Sequence, residues 1–409
     1  MKLKAAAQSA LLLVTAVSLI KVESARAVPA FARREGVKCQ MCHFRLPELN
    51  EDGHSYIRRG LREEQGGMAS AHGAMAPRQG MEMGTQDEAK APVAAMERPL
   101  GEPLPLEWQH YLTVMGHHTY EAREHEQAGF HSGMIDAWIA GPIDPHWSGV
   151  TNFAFDIQAG GVEVEQAYAQ FNTSWTPRFN SVRFGQLLPF AILFNGGGAA
   201  MPLSAPVVLE VPSRARNPWA PATLLRGVEL GAVNLPRWNA YLGAGQPQLE
   251  GLAGTGHTDL YASGELLFGE RGNAFSAFGY KGRIEASPGA PSIDYERMAL
   301  FANCYGPRTK GVAGMLWGTD RPDGESSLGT HGGFLLGELL LNDRWAGYAR
   351  YDYAHRDVPV GDAETTDGPT VGVSFWAQTQ VRLTLETQFL KSADASRDRS
   401  AVAELMWAF

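Results

Sequence analysis

The chain has 409 residues, a formal net charge of −9, 44% hydrophobic residues and three cysteines. An acidic chain of this kind is a poor partner for nucleic acid and suits cations or a positively charged partner. Three cysteines are too few for a secreted disulfide scaffold, and beyond the N-terminus no apolar run reaches the ~20 residues that a membrane-crossing helix needs.

Lys2 and Lys4 precede an apolar stretch over residues 5–20, and Ala25-Arg26-Ala27 then sets small residues at the spacing of a cleavage site. This predicts a secretory signal peptide over residues 1–27 and a mature chain that starts near Val28. Its removal takes away Lys2, Lys4, Lys21 and Arg26 with one acid, Glu23, so the net charge falls by three to −12.

Residues 28–60 carry the sharpest chemical signal, Cys39-Gln40-Met41-Cys42-His43. Two thiols at this spacing can add to the vinyl groups of a haem, and the adjacent histidine is then placed to ligate its iron. A redox Cys-x-x-Cys sits in a βαβ context, a structural zinc site needs a second ligand pair, and a plain disulfide leaves the histidine unexplained. One covalently bound haem c is therefore expected on Cys39 and Cys42, with His43 as the proximal ligand. His54, Met68 and Met75 are the candidates for the sixth position, where a methionine would raise the potential relative to a histidine. About thirty residues cannot enclose a macrocycle alone. Either the haem is largely exposed or the segment is covered elsewhere, for example as a plug in a barrel mouth.

Residues 61–105 are rich in Ala, Gly, Met and Pro and read as a flexible linker. Met68, His72, Met75, Met81 and Met83 within it offer soft thioethers with an imidazole, a set that could capture copper.

From residue 106 to Phe409 the chain is a succession of short alternating segments. In 380–389, Val381, Leu383, Leu385 and Phe389 oppose Gln380, Arg382, Thr384, Glu386 and Gln388. In 345–353, Arg350 and Asp352 oppose Trp345, Tyr351 and Tyr353, and in 152–158, Phe153, Phe155 and Ile157 oppose Asn152, Asp156 and Gln158. A period of two is the signature of strands. Arg271-Gly272-Asn273, Asn342-Asp343 and Asp367-Gly368 are the turn candidates between them. Ala401, Ala403, Leu405, Trp407 and Phe409 share one face, and the terminal phenylalanine resembles the assembly signal of bacterial outer-membrane barrels. The predicted fold is mainly β: a transmembrane outer-membrane β-barrel of about 14–16 strands.

Three further features stand out. Cys304 reads as a small packed apolar residue. His110, His117, His118, His125 and His131 read mostly as solvated loop, with metal capture or a second haem contact as the sharper readings, and His117 and His118 would point to opposite faces of a strand. Gly196-Gly197-Gly198 precedes no helix and reads as an extracellular loop or a constriction. No nucleophile elbow, Walker loop or dinucleotide fingerprint appears.

Pro29-Ala30-Phe31-Ala32-Arg33, then Cys39-x-x-Cys42-His43, then Pro47-x-Leu49-Asn50-x-x-Gly53 resembles the start of the fused monohaem cytochrome–porins, whose best-known members are outer-membrane iron oxidases. The resemblance is close over residues 29–60 and one of plan beyond. After Gly53 the family more often continues with Arg and Phe, where this chain has His54-Ser55-Tyr56. The resemblance implies a barrel of sixteen strands, a haem near one mouth, and electrons passed from an extracellular donor such as ferrous iron to a periplasmic carrier. The alternatives are a porin with a redox-sensing haem plug and a copper-handling outer-membrane protein.

Overall fold

The alternation read in the sequence puts opposite chemistries on the two faces of each strand. In β15 (Trp345–Arg356), Arg350 and Asp352 are 2% and 0% exposed, whereas Tyr351 and Tyr353 are exposed. In β17 (Val381–Lys391), Arg382, Thr384 and Glu386 are buried and Phe389 is exposed. Leu260, Leu266, Phe275, Met315 and Leu335 are all more than half exposed. A soluble sandwich would bury these side chains and expose the polar ones; the reverse is the pattern of strands that face lipid outward and a lumen inward. Lipid also offers no partner to backbone amides, so such strands must close on themselves.

They do so here. The computed structural model describes residues 30–35, 39–61, 111–124 and 128–408, apart from 158–159, 174–178, 199, 211–216, 235–236, 250–256, 270–271, 286–290, 359–362 and 393–396. Sixteen antiparallel strands run from β3 (Leu112–Arg123) to β18 (Arg397–Ala408), each paired with the next. The barrel closes through β18 and β3, with Ser400 opposite Arg123 and Trp407 opposite Gly116. No helix among the described residues is long and apolar enough to cross a membrane. The expected fold and the upper strand count are met.

The two ends of the barrel differ. Strand connections at one end are short, such as 143–146, 306–308 and 379–380, and this end also holds the barrel termini Leu112 and Ala408. Connections at the other end include 188–224 and 248–258. Gly272, in the left-handed region at φ 73°, and Asn342, whose carboxamide accepts from Arg344 N and Trp345 N, make hairpin turns as expected. Asp367-Gly368 does not: both residues lie inside β16 (Glu364–Gln378), opposite Tyr353 and Asp352. A Cβ at Gly368 would collide with Phe389 O, so the glycine answers a close approach of strands rather than a turn.

Among the described residues, two segments lie in the lumen. Residues 30–61 form α1 (Ala30–Glu35), a 3₁₀ turn (Cys39–Met41), a small ladder of β1 (His43–Arg45) with β2 (Glu48–Leu49), and α2 (Glu51–Arg58). They dock at the short-turn end. Lys310 pairs with Glu48, Arg58 donates to Glu265 Oε2 at 2.6 Å, and Trp376 Nε1 donates to Leu46 O at 3.2 Å. Tyr56 and Leu61 join Ala140, Val150, Tyr168 and Leu187 in a buried apolar cluster. The expectation of a plug is met for the described part; residues 62–110, which include nearly all of the predicted linker, lie outside the described residues.

The second segment, 188–224, connects the fifth and sixth barrel strands and folds inward from the long-loop end. Arg350 donates to Ser204 O and to Ala205 O, Glu386 accepts from Leu203 N at 2.9 Å, and Asp352 accepts from Val207 N at 3.2 Å. Gly196 and Gly197 belong to a π-turn (Leu193–Gly197) in this segment, whose buried Asn195 accepts from Asn303 of the wall, so these glycines lie inside the barrel rather than in an external loop.

Candidate cofactor site in the barrel lumen

The cysteine pair is set by a tightly wound local structure. Asn50 caps α2, its carboxamide oxygen accepting from Gly53 N at 3.0 Å, while its own amide nitrogen donates to Met41 O at 3.0 Å. A cap of this kind contributes about 1 kcal/mol. A Cβ at Gly53 would overlap Cys42 O, so the helix lies directly against the turn that carries the cysteines. This accounts physically for Asn50 and Gly53 in the Asn-x-x-Gly part of the motif.

His43 Nδ1 lies 3.1 Å from Pro47 O. A carbonyl can only accept, so the proton of the neutral imidazole is held on Nδ1 and Nε2 keeps its lone pair, the arrangement of a metal-ligating histidine. Burial lowers the pKa of His43, which favours that neutral form. Neither Cys39 nor Cys42 is in a disulfide, and burial pushes the Cys39 thiol up, towards its protonated form.

Cys39, Cys42, His43 and His54 line one cavity of about 590 Å³, enclosed between residues 30–61, the inward segment and the barrel wall. Its size is within the ~300–1,000 Å³ of cofactor sites. Phe31, Leu46, Trp138, Phe194, Phe334 and Leu336 give it apolar walls. Paired thiols, an imidazole with its outer nitrogen committed and an apolar chamber match the requirements of a c-type haem. Cys39 and Cys42 would hold it covalently and His43 would ligate it; when bound, it supplies one-electron redox chemistry.

Of the three candidates for the sixth position, His54 is the one among the described residues. It stacks on Phe194 with ring centroids 4.2 Å apart, and its Nδ1 is 3.9 Å from Glu51 Oε2, too long for a hydrogen bond. Burial, then Arg58, Lys310 and His43, hold its pKa well below the usual range, so this histidine too is neutral. Met68 and Met75 lie outside the described residues, as do His72, Met81, Met83, His110, His125 and Phe409. The barrel adds a thioether that sequence reasoning missed: Met115 of β3 lines the same cavity. Nothing in its sequence neighbourhood marks it, because its role depends on which way β3 faces.

The described histidines of this stretch lie on strands rather than in loops. His117 and His118 lie in β3 and point to opposite faces, as the period of two requires. His117 faces the lumen between Glu404 Oε2 at 3.1 Å and Asp136 Oδ2 at 3.4 Å, and His118 is exposed. His131 falls on β4 (Gly129–Pro142). Among the described residues no group of three or more His, Cys, Asp or Glu side chains is arranged to hold a metal ion. Cys304 also departs from expectation: it is exposed rather than packed. Its neighbour Asn303 is turned inward to bond Asn195 Oδ1 at 2.7 Å, which throws Cys304 onto the outer face of β12 (Ser292–Tyr305).

No family model matches the chain, and no curated protein matches it. Among solved structures it is similar to the anion-selective porin from Comamonas acidovorans, with a TM-score of 0.60 at 10% identity over 73% of this chain and 98% of that one. It is also similar to a loop L8 deletion mutant of OmpT, an outer membrane protein of Vibrio cholerae (TM-score 0.58, 12% identity, 73% and 98% coverage). The outer membrane channel DcaP of Acinetobacter baumannii gives a TM-score of 0.55 at 11% identity, with 73% and 96% coverage. At these identities the likeness is one of fold: the chain has the closed sixteen-strand antiparallel barrel of outer-membrane porins.

Proposed function

We propose that this chain is an outer-membrane electron-transfer protein that carries one haem c on a plug inside a porin-type barrel. The observation that carries the reading is the meeting of Cys39, Cys42 and His43 on a single, largely apolar cavity within the lumen, with His43 Nδ1 committed to Pro47 O. The signal-like N-terminus and the porin fold support an outer-membrane setting. Short turns face the periplasm in barrels of this kind and longer loops face outward. In that orientation the site lies towards the periplasm, near a periplasmic electron carrier, and the donor arrives from the long-loop end.

Ferrous iron is the donor that the resemblance suggests, and the acidic balance of the chain favours a cationic one. Anaerobic stopped-flow mixing of the oxidised protein with ferrous iron should reduce the haem. Fast reduction by a quinol or cuprous ion, with none by ferrous iron at acidic and neutral pH, would reject iron and keep the electron conduit.

A second reading is a porin-type channel whose haem plug only senses redox state, and the fold neighbours favour it: one is described as an anion-selective porin and another as an outer membrane channel. Against free passage, the described parts of 30–61 and 188–224 both lie in the lumen. Planar-bilayer conductance distinguishes the readings. A sealed barrel whose haem exchanges electrons supports the first, and ion flux that is independent of the haem supports the second.

A further inference from the structure

The lumen contains a run of aromatic rings that starts at the candidate site and leaves it. His54 stacks on Phe194, Phe194 on Phe190 at 5.1 Å between centroids, and Phe190 meets Tyr241 edge-on at 5.2 Å. Tyr241 lies on β9 (Trp238–Pro247), where Gly243, two residues further on the same face, pairs with Tyr261 of β10 (Asp259–Phe268). Tyr241 and Tyr261 are thus diagonal neighbours, at a spacing of about 7–8 Å. The Tyr261 ring occupies the space that a Cβ on Gly243 would need.

From Tyr261 the run continues to Tyr280, with centroids 6.4 Å apart and planes within 5°. Tyr280 then contacts Trp219 at 4.3 Å and Tyr295 at 5.8 Å. Tyr295 is near the start of β12, beside connection 286–291, and Trp219 belongs to the inward segment. Both are at the long-loop end, so the rings lead from the candidate site towards the opposite mouth.

Two further observations give the run a chemistry. Trp219, Tyr261, Tyr280 and Tyr295 are at most 4% exposed, which excludes a surface along which a solute slides. The three tyrosines also have proton acceptors in place. Tyr280 and Tyr295 each donate to Asp259 Oδ2 at 2.6 Å, and Tyr261 donates to Glu229 Oε2 at 2.8 Å. A buried phenol gives up an electron readily when its proton has a base to go to.

We infer that these rings form a relay for one-electron oxidising equivalents between the candidate haem site and the long-loop end. What occupies the inner end rests on the proposed function. A one-electron oxidant at the loop end, strong enough to oxidise tryptophan, takes an electron from Trp219. Tyr280 refills Trp219 and passes its phenolic proton to Asp259. Tyr261 refills Tyr280, which recovers its proton from Asp259, and the Tyr261 proton moves to Glu229. An electron from the inner end, crossing Phe194, Phe190 and Tyr241, refills Tyr261, and Glu229 returns the proton. One electron has then moved from the inner end to the oxidant, and every proton is back on its phenol.

The test tethers a ruthenium–bipyridyl photo-oxidant to the full-length protein through Glu325→Cys, on exposed connection 323–327, with Cys304→Ser so that the label site is the one cysteine outside the haem thioethers; a preparation without haem also carries Cys39→Ser and Cys42→Ser. After flash-quench, transient absorption and electron paramagnetic resonance should show a tryptophanyl and then a tyrosyl radical, followed by oxidation of the reduced haem. Tyr261→Phe keeps the ring and should slow the haem step by an order of magnitude or more while the outer radicals persist. Tyr280→Phe should suppress radical arrival at Tyr261, and Asp259→Asn should remove the solvent deuterium effect on tyrosyl formation. Faster gel mobility of unheated than of boiled samples verifies that each variant is a folded barrel. Haem oxidation at the parent rate in both Tyr→Phe variants overturns the relay. A preparation that binds no haem defeats the proposed function instead, and radical migration from Trp219 to Tyr261, blocked or unblocked by Tyr280→Phe, still decides the relay.

Discussion

The two segments that share the lumen are gripped in different ways. Residues 30–61 are held chiefly by their side chains: Glu48 by Lys310, Arg58 by Glu265, and Arg45 by Asp343 at 3.8 Å. Residues 188–224 are held largely by their backbone, with Arg350, Asp352 and Glu386 of the wall reaching Ser204 O, Val207 N and Leu203 N. A grip on backbone is indifferent to which side chains the segment carries, whereas a buried ion pair depends on both partners. The plug is therefore specified residue by residue, whereas part of the grip on the constriction segment is independent of its side chains, alongside the bonds of Ser204 to Glu386 and Asn217 to Asp320.

The largest test of this contrast removes one segment outright. No strand pair in the barrel ladder involves residues 30–61, so a variant lacking them should still assemble, with faster gel mobility when unheated. Its bilayer conductance should rise well above that of the parent, and an unchanged conductance would mean that 188–224 alone seals the lumen.

Single charges come next. Lys310→Met leaves Glu48 buried beside Glu338, both of whose carboxylate oxygens already lack partners, and should weaken plug docking by about 3–5 kcal/mol. Hydrogen exchange over residues 39–61 reads the loss. Adding Glu48→Gln should recover much of it, and no recovery would show that the pair is not what holds the plug.

At the other segment, Arg350→Ala removes charged hydrogen bonds worth about 1.5–3 kcal/mol each. Exchange protection should fall over 201–210 and stay unchanged over 39–61; loss in both places would mean that the two segments are one cooperative unit. Smallest is Asn50→Ala, which should cost about 1 kcal/mol and loosen only the turn carrying the cysteines.

What the sequence made legible follows from the range over which each interaction acts. The faces of 345–353 and 380–389 were readable because a period of two needs only neighbours, and Arg350, Asp352, Arg382 and Glu386 indeed face the lumen. Cys39, Cys42 and His43 were readable because the chemistry requires them to be adjacent. Lys310 and Glu265 were not, since each meets the plug across more than 200 positions of chain. Cys304 was misread because a packed interior was assumed for an apolar strand face that here is exposed. Asp367-Gly368 was misread because glycine serves close strand contacts as well as turns.

The central claim is that the lumen site is a haem site, and covalent attachment tests it most directly. Protein expressed with its export signal in a cytochrome c-maturing host should keep peroxidase-active haem stain on a denaturing gel, with an intact mass greater than that of the mature polypeptide by one haem. Cys39→Ala and Cys42→Ala should weaken attachment and Cys304→Ala should not, while His43→Ala should keep the thioethers but lose the native low-spin spectrum. A mature protein of unmodified mass, with no stain after denaturation, would contradict the account and leave a porin-fold barrel with an internal plug.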